Sequence, residues 1–278
     1  MTATHICKNC GHQFSGNFCN QCGEKVYTEK DKNLLHFVEE GFHFLTHFEG
    51  KFFTSLKAIF LRPGQLSLDF SNGIRKKYFK PLSFFLLLVV LYLIFPTFQG
   101  LNMRLQFHVQ HDIYGAYAYK KVTQLMAEKQ LSEEELVRLY TYKSEKTSKF
   151  LLFLLVPAMA LISWGLGFWK RKLFFDHFVF AIEVLCFLIM WGFLILPLLI
   201  FIPRALNLIP AVTEKSEVVL GICILTVLLA FITAAARRFF KFNWAYSILY
   251  ALLSIVLLGA FIQFVYKFIL FYITINQI

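Results

Sequence analysis

Long apolar runs with almost no charge alternate along this chain with short basic stretches. Five runs stand out, at about 81–98, 150–169, 177–202, 217–236 and 245–266. Each is continuously apolar and close to the roughly 20 helical residues needed to cross a hydrocarbon core of about 30 Å. Only helices or closed barrels satisfy their backbone in lipid, and barrel strands alternate in polarity where these runs do not. The pattern predicts an all-α fold, a polytopic transmembrane helical bundle of about five spans. Pro81 suits the first turn of the first span.

Two segments carry a different pattern. Over 33–61, Phe37, Phe44, Phe48, Phe52, Leu56 and Ile59 recur at helical spacing, and His36, Glu40, His43, His47 and Thr54 fall in a stripe broadly opposite. This stretch is too polar to span. It reads as an amphipathic interfacial helix that lies along the membrane surface or against the bundle and stops at Arg62-Pro63-Gly64. The second segment, about 99–149, has mixed charge and reads as an external helical insert, with Ser132 and Glu135 spaced as a capping box. The expected organisation is a cysteine module over 1–30, the interfacial helix and a basic connector over 31–80, and the bundle with its insert over 81–278.

Composition agrees with a membrane protein: 58% of the 278 residues are hydrophobic, well above the usual 45–50%, and 34 are Phe. The net charge of +11 changes the picture through its placement. Arg75, Lys76, Lys77 and Lys80 precede the first run; Lys170, Arg171 and Lys172 follow the second; Arg237, Arg238 and Lys241 follow the fourth. The opposite flanks hold only Arg204, Lys215 and Lys267. By the positive-inside rule the N-terminus is expected in the cytosol and the C-terminus outside, as for a bacterial inner-membrane protein. The polar, cysteine-bearing first twenty residues lack a secretory pattern. They also lack a basic footprint, so no nucleic acid is expected as a partner.

The N-terminal module carries Cys7-x2-Cys10 and Cys19-x2-Cys22, with Gly11 and Gly23 after each pair. A Cys-x-x-Cys turn aims two thiolates at one ion, and two such turns make a closed tetrahedral site, so a zinc-ribbon-like module holding Zn2+ is expected. Cys186 and Cys223, inside spans, read as packing residues.

Other polar residues are candidates for chemistry. His36, Glu40, His43 and His47 with Asp176, His177 and Glu183 form a candidate polar pocket, and the stripe alone is too long to converge on one ion. Glu183 lies about 10 Å beyond Asp176 on the same helical face. A carboxylate at that depth marks either a functional pocket or an ion pair, with Arg75 or Lys172 as partner. Arg62, Arg75, Lys76, Lys77 and Lys80 are candidates for binding an anion or a lipid headgroup.

The ordered segments CKNCG…FCNQCGEK, HFEGKFFTSLKAIFLRPG, DFSNGIRKKYFKPLSFFL and FFDHFVFAIEVLCF resemble an uncharacterised bacterial membrane family, domain of unknown function number 3667. The resemblance covers about 5–95 and, less closely, 150–187. It rests on His47, Gly50, Thr54, Arg62, Pro63, Gly64, Gly73, Arg75, Tyr78, Pro81 and His177. It implies the architecture above and no established activity. Three functions stay open from sequence: a membrane scaffold or accessory protein whose cytosolic zinc module docks a cytosolic or membrane protein partner, a transporter or channel using a polar pocket around Glu183, or an enzyme working at the cytosolic interface on lipid-linked substrates. No zinc-protease helix, nucleophile elbow or P-loop is present to decide for an enzyme.

Overall fold

A computed structural model describes residues 4–7, 10–21, 50–75, 77–94, 101–196, 198 and 214–278. The chain divides into two units, Met1–Lys51 and Phe52–Ile278, taken in turn.

The first unit holds a hairpin of two short strands, β1 (Thr4–Ile6) and β2 (Gln13–Ser15). They pair antiparallel with His5 opposite Phe14. Between them the chain reverses through Gly11, whose φ of 73° favours glycine, and the Gly11 N–H donates to the Cys7 carbonyl at 2.9 Å. Among the described residues of this unit the buried apolar ones are Cys7, Phe14 and Cys19, a small cluster beside the cysteine turn.

The second unit is helical. Helix α1 occupies 52–61 here. It is followed by α2 (Gln65–Ser71), α3 (Pro81–Ile94), α4 (Leu105–Val109), α5 (Gly115–Lys129) and α6 (Glu133–Leu151). One 3-10 turn, Leu152–Leu154, joins α6 to α7 (Leu155–Gly167). Then come α8 (Phe174–Leu188), α9 (Glu214–Phe240), α10 (Trp244–Ala260) and α11 (Lys267–Gln277). π-helical stretches at Ile189–Ile195 and Phe261–Tyr266 extend α8 and bridge α10 to α11.

Among the described residues, four helical rods are long and apolar enough to cross a membrane: Glu133–Gly167, Phe174–Gly192, Gly221–Phe240 and Trp244–Gln277. The first expected span is described as the shorter apolar helix α3, whose 14 residues rise about 21 Å. Two rods, of 35 and 34 residues, outrun their apolar stretches and reach about 50 Å. Hydropathy marks lipid depth rather than the end of a helix, so α6 and α11 continue as amphipathic helices past the apolar part. Ser132 begins α6 with the capping box that the spacing predicts.

Helix α8 is the hub. Every residue from Val179 to Phe187 is buried, with Phe180 and Ala181 fully so, as expected of a helix enclosed on all faces. Phe180 stacks on Phe239 of α9, and Phe187 stacks on Phe231 with ring centroids 3.8 Å apart. Helix α1 packs into the same core through Ser55, Ala58 and Ile59, with Phe52 against Phe84 of α3 and Phe60 against Phe187.

At the other end, α4, α5 and the polar half of α6 form a small cap on α11. Leu105, Tyr114, Ala118, Leu136, Tyr140 and Phe271 make its core, and the Tyr266 hydroxyl donates to the Ser148 carbonyl at 2.6 Å. His108 sits fully buried inside it, with Nδ1 2.7 Å from the Tyr114 hydroxyl and its ring against Tyr140 and Phe271. Burial pushes His108 down to about 4, and the charges of Lys267 and His111 act in the same direction. A histidine depressed on folding stabilises above its unfolded value and loses that contribution as pH falls toward 4. Between pH 7 and pH 5 the cap is therefore expected to lose about 2 kcal/mol. Hydrogen exchange of residues 105–140 at the two pH values checks this, and equal protection would show that His108 does not couple the cap to pH.

Candidate functional site

A buried polar construction lies where the chain turns from α1 into α2. Pro63 follows the last turn of α1, and Gly64 takes a left-handed φ of 80°. A Cβ there would meet the Ala235 carbonyl oxygen of α9 at 2.5 Å, so both the dihedral and the close approach call for glycine. The turn leaves the first N–H groups of α2 without helical partners, and Glu183 of α8 supplies one. One carboxylate oxygen accepts from the Gly64 N–H at 2.8 Å; the other accepts from the Ser67 N–H at 2.8 Å and from the Ser67 hydroxyl. From α9, the Arg238 guanidinium donates to the Pro63 carbonyl, and it is the cation whose charge reaches Glu183. The expected partners Arg75 and Lys172 do not fill that place: Glu183 meets backbone donors of a turn, and Arg75 lies over the rings of Phe70 and Phe175.

The connector after α2 folds back on it. Gly73, φ 89°, turns the chain, and the Ile74 N–H donates to the Asp69 carbonyl at 2.9 Å. The Asp69 carboxylate accepts from the Tyr78 hydroxyl at 2.6 Å, Gln65 Nε2 at 2.7 Å and Lys77 Nζ at 3.4 Å. Burial raises the Asp69 carboxyl, but those donors outweigh it and hold it below the usual value. The Phe79 N–H reaches the Ser55 hydroxyl at 2.9 Å, which ties the connector to α1.

Outward from this clamp, Thr54, Lys57, Arg62, Gln65, Lys77 and Tyr78 line a cavity of about 310 Å³. It brings Arg62 and Lys77 together as anion-binding candidates. It leaves Arg75 apart, and Lys80 stands exposed outside its wall. Lys57 is the member that sequence reasoning missed. Its signal was present, because Thr54, Lys57, Ala58 and Leu61 fall on one helical face leading to Arg62. A larger open cavity of about 770 Å³ lies in the cap, with Arg104 and Glu133 among mostly uncharged walls.

Asp176 and His177 do not join Glu183. Asp176 pairs with Arg171 at 3.3 Å. His177 Nε2 lies 2.8 Å from the Arg171 carbonyl, which can only accept, so Nδ1 is left to accept from the Ser163 hydroxyl at 3.1 Å. Tyr250 in turn donates to Ser163 at 2.8 Å. This buried chain is saturated and locks α7, α8 and α10 together. His36, Glu40, His43, His47, Cys22 and Lys76 lie outside the described residues.

In the first unit the sulfurs of Cys7, Cys10 and Cys19 lie within 4.8 Å of one another, the one such potential metal group among the described residues. Cys10 and Cys19 sulfurs are 3.6 Å apart, too far for a disulfide at about 2.05 Å and close to the roughly 3.8 Å edge of a tetrahedral zinc–thiolate site. Three thiol donors of this kind suit a soft or borderline metal ion.

Residues 49–93 match the model of one family, described as a protein of unknown function (DUF3667). The resemblance noted in the sequence holds there. The matched segment carries α1, the Pro63-Gly64 turn, α2, the connector and most of α3, and hence every residue named for the 310 Å³ cavity. No curated protein and no solved structure matches the chain.

Two substitutions test the clamp. Gly64→Ala and Gly73→Ala both force a left-handed residue, costing about 1–2 kcal/mol, but only Gly64 also meets backbone. Thermal melts in detergent are expected to show the larger loss for Gly64→Ala, by about 1–3 kcal/mol more; equal losses would refute the close approach. Glu183→Gln, which replaces an acceptor by an amide N–H donor facing N–H groups, is expected to cost about 2–3 kcal/mol. Unfolding curves indistinguishable from the parent chain would show that the carboxylate does not hold the turn.

Proposed function

We propose that this chain is an integral membrane scaffold or accessory protein whose N-terminal module, held by Zn2+, docks a protein partner at the cytosolic side of a bacterial inner membrane. The observation that carries the reading is the convergence of Cys7, Cys10 and Cys19, with Phe14 as the one other buried apolar residue among the described residues of the unit. Cys22 completes the set in this proposal. Four thiolates fill a tetrahedral ion and leave no open position for substrate, so the metal would supply folding energy and shape rather than catalysis. Ile6 and Phe18 stand 72% and 60% exposed on the module, apolar contacts of the kind a partner covers.

The sidedness belongs to the same proposal. Basic residues converge at one end of the bundle: Arg171 donates to the Phe239 carbonyl, Arg238 to that of Pro63, and Arg237 lies 4.0 Å from the centre of the Trp244 ring. Exposed Trp169 and Trp244 at the same end fit an interfacial aromatic belt. A cytosolic location would keep the thiols reduced for metal. The Glu183 carboxylate, with both oxygens engaged by the turn, favours a structural body over an ion pathway.

Metal analysis of the purified full chain is expected to find about one equivalent of zinc, lost in Cys7→Ser and Cys10→Ser. Co-purification is expected to give a stoichiometric protein partner that those variants also lose. Less than about half an equivalent of zinc in the parent chain, or a partner retained by both variants, would overturn the reading.

A further inference from the structure

We infer that Lys57, Arg62 and Lys77 form a discrete binding site for a phosphate group, such as that of an anionic lipid headgroup. The inference rests on the membrane-embedded bundle and is independent of the docking role proposed for the cysteine module.

Three separate elements build the site. Lys57 comes from α1, Arg62 from the turn after it, and Lys77 with Tyr78 from the connector ahead of α3. Gln65 of α2 and Thr54 of α1 complete the polar wall of the 310 Å³ cavity, which is of small-ligand size. Among the described residues the wall holds three cations and no carboxylate. Among the described residues, neither Lys57 nor Arg62 has an ion-pair partner. The nearest acid of the construction, Asp69, is already occupied by Tyr78, Gln65 and Lys77. Asp69 thus fixes three wall residues in place while leaving the cavity with surplus positive charge. An Arg fork and Lys ammonium groups on one concave wall match a tetrahedral oxyanion, Arg binding two of its oxygens at once.

Exposed apolar side chains on α1 favour a lipid as the carrier of that phosphate. Leu61, which also lines the cavity, is 67% exposed, and Phe53 on the same helix is 60% exposed. With its phosphate in the cavity, such a lipid would have room for its acyl chains along these side chains. Diffuse attraction of a basic surface to anionic lipid acts on every charge alike and does not choose among lysines. A built site makes Lys57 and Arg62 matter more than other basic residues at the same end of the bundle.

The test uses the full chain in nanodiscs of phosphatidylcholine, titrated with fluorescent short-chain phosphatidic acid. Saturable binding is expected, weakened about tenfold or more by Lys57→Gln combined with Arg62→Gln. Lys170→Gln combined with Lys172→Gln, which removes as much charge outside the cavity, is expected to change it less than about twofold. Equal weakening by the two pairs, or no saturable binding, would overturn the site. Lys57→Gln alone, on an exposed helical position, and Arg62→Lys, which keeps charge but loses the fork, provide readouts should the double variant not fold; parent-like affinity in both would also overturn it. Inorganic phosphate distinguishes the source: displacement of the probe at millimolar levels assigns the site to a free phosphate or phosphate ester, and resistance assigns it to a lipid. Either result, with the cavity variants weakened, supports a phosphate site.

Discussion

The cytosol-proposed end of the bundle depends on one carboxylate beneath one turn. Glu183 is 1% exposed, on the most enclosed helix of the unit, and an ionised group there is tolerated only with strong compensation. That compensation comes from backbone: two N–H groups and a hydroxyl that a Pro-Gly turn leaves without helical partners. Each side solves the other's problem. Without the turn the carboxylate is a buried charge; without the carboxylate, the start of α2 has unpaired donors in the core. The pairing also fixes where α1, α2 and α8 meet, and Arg238 extends it to α9.

This constraint explains the shape of the basic surface outside it. Because Gly64 lies against Ala235, α2 is driven into the bundle and its other side turns toward the connector. Asp69 then draws Tyr78 and Lys77 back over α2, and Ser55 holds Phe79. Lysines and an arginine distant in sequence share one cavity as a consequence of these contacts, not because they are a charge run. Arg75, within the same run, is diverted to Phe70 and Phe175 and serves packing instead.

Hydropathy alone made the helical membrane body legible, because lipid demands continuous apolar residues and internal hydrogen bonds. The capping box at Ser132 was equally legible, since its chemistry is complete within four residues. The ends of the long rods were not: α6 and α11 continue beyond their apolar parts because they pack on each other and on α5. The depth of Glu183 could be read from its helix, but its partners could not. Sequence reasoning sought a side-chain cation, whereas the donors are backbone N–H groups more than a hundred residues away. His177 was singled out as chemistry, yet Ser163 and the Arg171 carbonyl consume both ring nitrogens. Periodicity announces none of these contacts, because they join groups that only the tertiary fold brings together.

Several residues of the segment that matches the family, 49–93, each answer to one specific contact. Gly64 answers to Ala235, Ser67 to Glu183, Asp69 to Tyr78, and Ser55 to Phe79. A purely structural need would account for the buried members of that set, but not for Lys57 and Arg62, which face outward and bond to none of them. Exposed cations grouped in a concavity repel one another, a cost that a folded surface usually avoids by dispersing or pairing them. Rigid elements hold these cations together, and an oxyanion between them relieves the repulsion. The buried clamp and the open cavity are therefore two faces of one construction: the carboxylate inside sets the turn, and the turn presents the cations outside.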